Sequence, residues 1–100
     1  MKTTVQEIDG KLVAILCGEL DTAAAPAAEV ALQPLLESQG KDIVIDCTDL
    51  EYIASSGLRL LLGVLKQAQS VGSRVILKNV NEVVRDVLDL TGFVSIFEFE

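Results

Sequence analysis

One hundred residues are enough for one domain with its own core, and half of them are hydrophobic, so no disulfide framework is needed to hold it. Fifteen acidic against eight basic side chains give a net charge of −7, which argues against a nucleic-acid surface and against an anionic membrane surface. Histidine is absent, which removes Ser-His-Asp and Cys-His catalysis in one step, and neither GxxxxGKS/T nor GxGxxG occurs.

No apolar run approaches the roughly 20 residues of a spanning helix. Leu12–Cys17 is short, and Leu60–Leu65 is interrupted by Gly63. Met1-Lys2-Thr3-Thr4 leads straight into a strand-like pattern, so no signal peptide and a cytoplasmic location are expected. Cys17 and Cys47, with no histidine beside them, make a poor metal site; both are expected to be small buried thiols.

In chain order, Thr4–Ile8 reads as an edge strand, and Asp9-Gly10 is a two-residue hairpin signal. Leu12–Cys17 is then a central strand, antiparallel to the first, whose near-continuous apolarity predicts burial on both faces. After Gly18–Thr22, where Asp21 or Thr22 is placed to cap, a helix is predicted over Ala23–Ser38. Pro26 fits its first turn, Pro34 should bend or break it, and Val30, Ala31, Leu35 and Leu36 form its expected inner face. Gly40 stops it.

A third strand is predicted over Asp42–Asp46, with Cys47–Ala54 as the loop after it. The second helix runs from about Ser56 to Val71, with Leu58, Leu61, Leu62, Leu65 and Ala68 at helical spacing. Arg74–Lys78 is a fourth strand. Asn81 caps a third helix with Val83, Val84, Val87 and Leu88 inward, Gly92 closes it, and Phe93–Phe99 is a last strand. The expected fold is α/β: one domain over residues 1–100, an N-terminal β-hairpin followed by three αβ units in a mixed, mostly parallel sheet. If the strands lie in sequence order, right-handed crossovers place all the helices on one face, with no reversal point to form a ligand crevice.

The serine pair Ser55-Ser56 before Gly57 opens the second helix. A serine there serves as an N-cap, and the same place receives an added phosphate well. Ser55 is expected to be the enclosed cap and Ser56 the accessible hydroxyl. Gly57, a poor helix former, leaves the serine open to an approaching surface.

Three segments resemble the signature segments of STAS domains, most of all those of bacterial anti-sigma factor antagonists. They are Gly18-Glu19-Leu20-Asp21, then Asp49-Leu50-Glu51-Tyr52-Ile53-Ala54-Ser55-Ser56-Gly57-Leu58, then Val84-Arg85-Asp86-Val87-Leu88-Asp89-Leu90-Thr91-Gly92-Phe93. The resemblance implies a phosphorylation-switched interaction module with no catalytic residues, no cofactor and no metal. Ser56 would be the phosphoacceptor, with Ser55 as the alternative. The unmodified protein would bind its anti-sigma factor, a GHKL-type serine kinase, and a PP2C-type phosphatase would reverse the reaction. Asp21, Thr22, Ser55, Ser56, Gly57, Leu58 and Arg59 would form the docking surface.

Two departures stand out: Ala54 replaces the acidic residue that many members carry before the serines, and the chain stops at Glu100 where many continue into a helix. Two other readings remain. One is a STAS subunit that is never phosphorylated, within a transporter or another signalling complex. The other is a receiver-like module phosphorylated on Asp46, with Lys78 at the next strand end and Glu19 and Asp21 as the only acidic pair to hold magnesium.

Overall fold

The computed structural model describes residues 1–100. Strand β1 (Lys2–Ile8) turns through Asp9-Gly10, both with positive φ (51° and 77°), into β2 (Lys11–Leu20). Those angles are what a tight primed hairpin turn needs, and the strands pair antiparallel from Ile8↔Lys11 outward.

Helix α1 (Ala25–Leu32) carries Pro26 in its first turn and gives way at Gln33–Glu37 to a 3-10 segment containing Pro34. Proline lacks the N–H that the α pattern needs, so the break falls where its position requires. The inner face is Ala28, Leu32 and Leu35; Val30 is 65% exposed and Leu36 40%. Hydropathy alone suggested Val30, but the spacing of Ala28, Leu32 and Leu35, at i, i+4 and i+7, sets the buried stripe.

Strand β3 (Ile43–Ile53) is far longer than its apolar start suggests, and the segment expected as a loop after Asp46 is extended chain. Beyond Ile15↔Asp46 it stays paired with β2 through two register shifts, to Leu20↔Ile53. Bulges of this kind break the two-residue alternation. Cys47, Leu50 and Ile53 are therefore buried at every third position.

Helix α2 (Ser55–Ser70) follows, then β4 (Val75–Lys78), α3 (Glu82–Thr91), a 3-10 turn over Phe93–Ser95, and β5 (Glu98–Phe99). The expected last strand is thus mostly turn, with only two residues pairing β4, at Ile76↔Glu98 and Leu77↔Phe99. Arg74 and Glu98 reinforce this short edge with two 2.9 Å hydrogen bonds, and Arg85 of α3 lies 4.6 Å from the centre of the Phe99 ring. Asn81 caps α3 as expected, accepting from the Val84 N–H at 2.8 Å. Val84 and Leu88 form its buried stripe, while Val83 points out at 53% exposure.

The sheet order is β1-β2-β3-β4-β5, with only β1 antiparallel to its neighbour. Register aligns Ala14, Ile45 and Leu77 on one face, and these join Leu32, Leu61 and Leu88 from the three helices in a single core. On the opposite face Val13, Ile15 and Val44 remain half-buried, outside that core. The second strand is therefore covered fully on one side only. Cys47 faces the core, where burial first and the nearby Asp46 second push its thiol up to about 12, whereas Cys17 is exposed. The expectation of two buried thiols holds for Cys47 alone. A thiol reagent should modify Cys17 rapidly in the native protein and Cys47 only with unfolding, which mass spectrometry of the labelled peptides would read.

One buried polar contact ties the 3-10 segment to the end of α2. The hydroxyls of Ser38 and Ser73, 1% and 6% exposed, lie 3.0 Å apart. Removing one leaves the other desolvated without its partner, so Ser38→Ala should cost about 1–3 kcal/mol in denaturant unfolding. The double replacement Ser38→Ala/Ser73→Ala should cost less than the sum of the two single ones.

Candidate functional site

The second signature segment ends where β3 becomes α2. Ala54 (φ −92°, ψ 171°) is the N-cap residue, and its N–H bonds the Leu20 carbonyl at 2.9 Å. The expected serine cap is absent: Ser55 and Ser56 are the first two helical residues, and no side chain caps α2. The reason is one of register. The backbone bond from Ala54 to the end of β2 fixes the first helical position, and the first intrahelical bond runs from the Leu58 N–H to the Ala54 carbonyl at 3.0 Å. The first-turn N–H groups are left without a capping side chain, at the positive end of the helix, and neither serine hydroxyl is consumed in capping them.

The accessibilities of the serines differ from expectation. Ser55 is exposed and makes no side-chain hydrogen bond, whereas Ser56 is half-buried. The Ser56 hydroxyl lies 3.3 Å from that of exposed Thr22, at the long end of hydrogen bonding. Thr22 is held near α2 by Asp21, whose Oδ1 accepts from the Ala24 N–H at 2.8 Å and whose carbonyl accepts from the Ala25 N–H at 3.1 Å. Asp21 thus caps the turn that leads into α1, as its sequence position suggested. Arg59 is exposed one turn along α2 from Ser56. Asp21, Thr22, Ser55, Ser56 and Arg59 therefore reach one end of the molecule together.

Gly57 and Leu58 do not contribute surface. Leu58 is 2% exposed and belongs to the core. Gly57 is buried for a reason that its place beside the serines did not reveal. A Cβ there would sit 2.6 Å from Leu20 Cγ and 2.9 Å from Ile53 Cγ1. Its lack of a side chain lets α2 lie against the ends of β2 and β3. The available signal was a glycine inside the first helical turn, where propensity alone disfavours it. Gly57→Ala should lower stability by up to about 2 kcal/mol, because overpacking of about 1–3 outweighs the gain of about 1 in helix propensity. Thermal melts of the two proteins would measure it, and a rise in Tm would show that the contact is slack.

Asp46 is occupied with structure. Its Oδ1 accepts from the Thr48 hydroxyl at 2.6 Å and the Thr48 N–H at 3.0 Å, and Asn79 Nδ2 donates to the Thr48 hydroxyl at 2.9 Å. The Thr48 hydroxyl, then its N–H, then Lys78 hold the Asp46 carboxyl below its ordinary range. These contacts stabilise the fold above the unfolded value near 3.9 and are lost as pH falls through the lowered folded value. No three His, Cys, Asp or Glu side chains converge on a common point. The arrangement is that of a side-chain-stabilised turn, and it does not favour the receiver-like reading. No helix is long and apolar enough to cross a membrane.

Comparison with known proteins agrees with this architecture. The STAS domain family model matches residues 2–100. BtrV of Bordetella bronchiseptica is 38% identical, over 97% of this chain and 84% of that protein. The anti-sigma-B factor antagonist of Bacillus subtilis is 31% identical, over 94% and 85% respectively. Among solved structures, an anti-sigma factor antagonist from Mycobacterium paratuberculosis superposes with a TM-score of 0.82 at 28% identity, covering 98% of this chain and 83% of that one. SpoIIAA shares the fold in its unphosphorylated form, with a TM-score of 0.75 at 22% identity over 99% of this chain and 87% of that one. With the family model matching residues 2–100 and BtrV 38% identical over nearly the whole chain, the chain belongs to the STAS domain family.

Proposed function

We propose that this protein is an anti-sigma factor antagonist that works in the cytoplasm, switched by phosphorylation of Ser56. In its unmodified form it binds an anti-sigma factor, itself a GHKL-type serine kinase, and thereby frees the sigma factor; a PP2C-type phosphatase restores the unmodified form. The Bacillus subtilis relative and the Mycobacterium paratuberculosis protein are named as anti-sigma factor antagonists, which supports the antagonist part of this reading.

The observation that carries the reading is the position of Ser56. Its hydroxyl stands in the first turn of a helix that no side chain caps, with only Thr22 beside it. A phosphate there meets unpartnered N–H groups and the positive helix end, so the fold tolerates it. The SpoIIAA fold matches about equally well in its unphosphorylated and phosphorylated forms, with TM-scores of 0.75 and 0.74. The same phosphate adds about −1.5 to −2 charge to the surface made by Thr22, Ser56 and Arg59, and a partner docked there loses affinity by desolvation and repulsion. Ser55, more exposed and without a side-chain hydrogen bond, is the alternative acceptor.

Ser56→Ala should abolish phosphorylation, change stability by well under about 1 kcal/mol, and leave binding to the anti-sigma factor intact. Ser56→Asp should fold with a stability equal to the wild type or raised by about 0.3–1 kcal/mol, yet bind at least about tenfold more weakly. Calorimetric titration of both variants, with mass spectrometry of the kinase-treated protein, decides between the serines. Undiminished binding by Ser56→Asp would overturn the switch and leave the fixed STAS subunit, a reading that Ala54 favours because it removes the acidic residue ahead of the serines.

A further inference from the structure

Gly57 and Gly63 lie on the same helix, and only one has an internal reason to be glycine. A Cβ at Gly57 would strike Leu20 and Ile53, whereas a Cβ at Gly63 would meet nothing within 4 Å. Glycine inside a helix is less favourable than alanine. At Gly63 that loss is not offset by any packing within the chain.

What the missing side chain does is open a groove. Between α2 and the α1–3-10 unit lies a hollow of about 420 Å³ that Gly63 lines, with Leu32, Leu36, Leu60 and Val64 as its apolar wall. Leu36 is 40% exposed there, although the core stands directly behind it at Leu32. On the α2 side the rim carries Arg59 and Lys66, and on the α1 side Glu29. None of the three takes part in an ion pair of the chain, whose salt bridges involve only Lys41, Arg74 and their partners. In a protein of net charge −7, this rim with two cations to one anion is locally basic.

The groove lies on the same face of α2 as the phosphoacceptor. Ser56, Arg59, Leu60, Gly63 and Gln67 follow at i, i+3, i+4, i+7 and i+11, one stripe of α2. At a rise of about 1.5 Å per residue, Gly63 lies about 10 Å from Ser56 along the helix axis.

We infer that the anti-sigma factor seats an apolar side chain, carried on an acidic segment, in the groove over Gly63, with its carboxylates on Arg59 and Lys66. This rests on the antagonist reading above and extends its docking surface along α2. Glu29 repels the same carboxylates and turns the acidic end toward α2, which fixes the direction of the bound segment. The charge pairing gives orientation and association rate, and the buried side chain gives residence.

The test is a graded series in the full chain, titrated against the cognate anti-sigma factor. Gly63→Ala should melt at or above the wild-type temperature and bind several-fold more weakly. Gly63→Leu fills the hollow and should remain folded by circular dichroism while losing tenfold or more in affinity. Lys66→Glu should lose a similar factor, and its deficit should shrink as salt is raised. If Gly63→Leu does not fold, Gly63→Ala and Lys66→Glu decide the matter between them. Wild-type affinity in Gly63→Ala and Lys66→Glu, alongside weakened binding by Ser56→Asp, overturns the groove and leaves the antagonist reading standing. Failure of the wild-type protein itself to bind overturns both.

Discussion

The contact of Gly57 with Leu20 and Ile53 determines where everything functional sits. Leu20 ends β2, Ile53 ends β3, and both side chains are fully buried, so the start of α2 is clamped over the paired ends of two strands. The backbone bond from Ala54 to Leu20 supports the same clamp. With the helix start fixed in this way, Ser56 has little freedom in where it stands, and Thr22, two residues beyond Leu20, is brought to it. A rigid seat under a half-buried hydroxyl at the surface is what a charge switch needs. A phosphate on Ser56 would change the surface potential while the shape presented to a partner stays in place.

Electrostatics reinforce this division between a fixed frame and a variable surface. Asp46 commits its carboxylate to Thr48, Asn79 holds Thr48 in turn, and Asn81 uses both ends of its amide, capping α3 and donating to the Leu50 carbonyl at 2.9 Å. These polar side chains stitch β3 to the segment after β4. The uncapped start of α2 is the exception, and it lies beside the serines.

Much of the fold was legible because local chemistry determined it. Asp9-Gly10 dictates the hairpin, Pro34 ends the α-helical pattern, Asn81 and Gly92 bound α3, and short apolar runs alternating with helices imply parallel crossovers. Legibility failed where tertiary pairing overrode local pattern. The second half of β3 reads as a loop because two bulges destroy its alternation. The last strand is nearly all turn because β4 offers it only a short edge. Val30 and Val83 are apolar yet face solvent, since the buried stripe is set by helix phase. At the site the identity of the serine pair was readable from sequence, but its capping was not, because that depends on a hydrogen bond across to Leu20. Gly57 and Gly63 look alike in sequence, and only the space around each separates an internal packing need from an outward-facing one.

The order of strands in the sheet has a consequence for how the molecule is made. Each strand pairs with the one synthesised just before it, from β1 through β5. Every new unit therefore meets a template that is already present, and no strand must wait for a later one to be inserted between its neighbours. Chains emerge from the ribosome N-terminal end first, at about 5–20 residues per second. A sheet that grows in one direction can assemble during synthesis, with its advancing edge covered by each new strand in turn, which shortens the time in which that edge is open to another nascent chain.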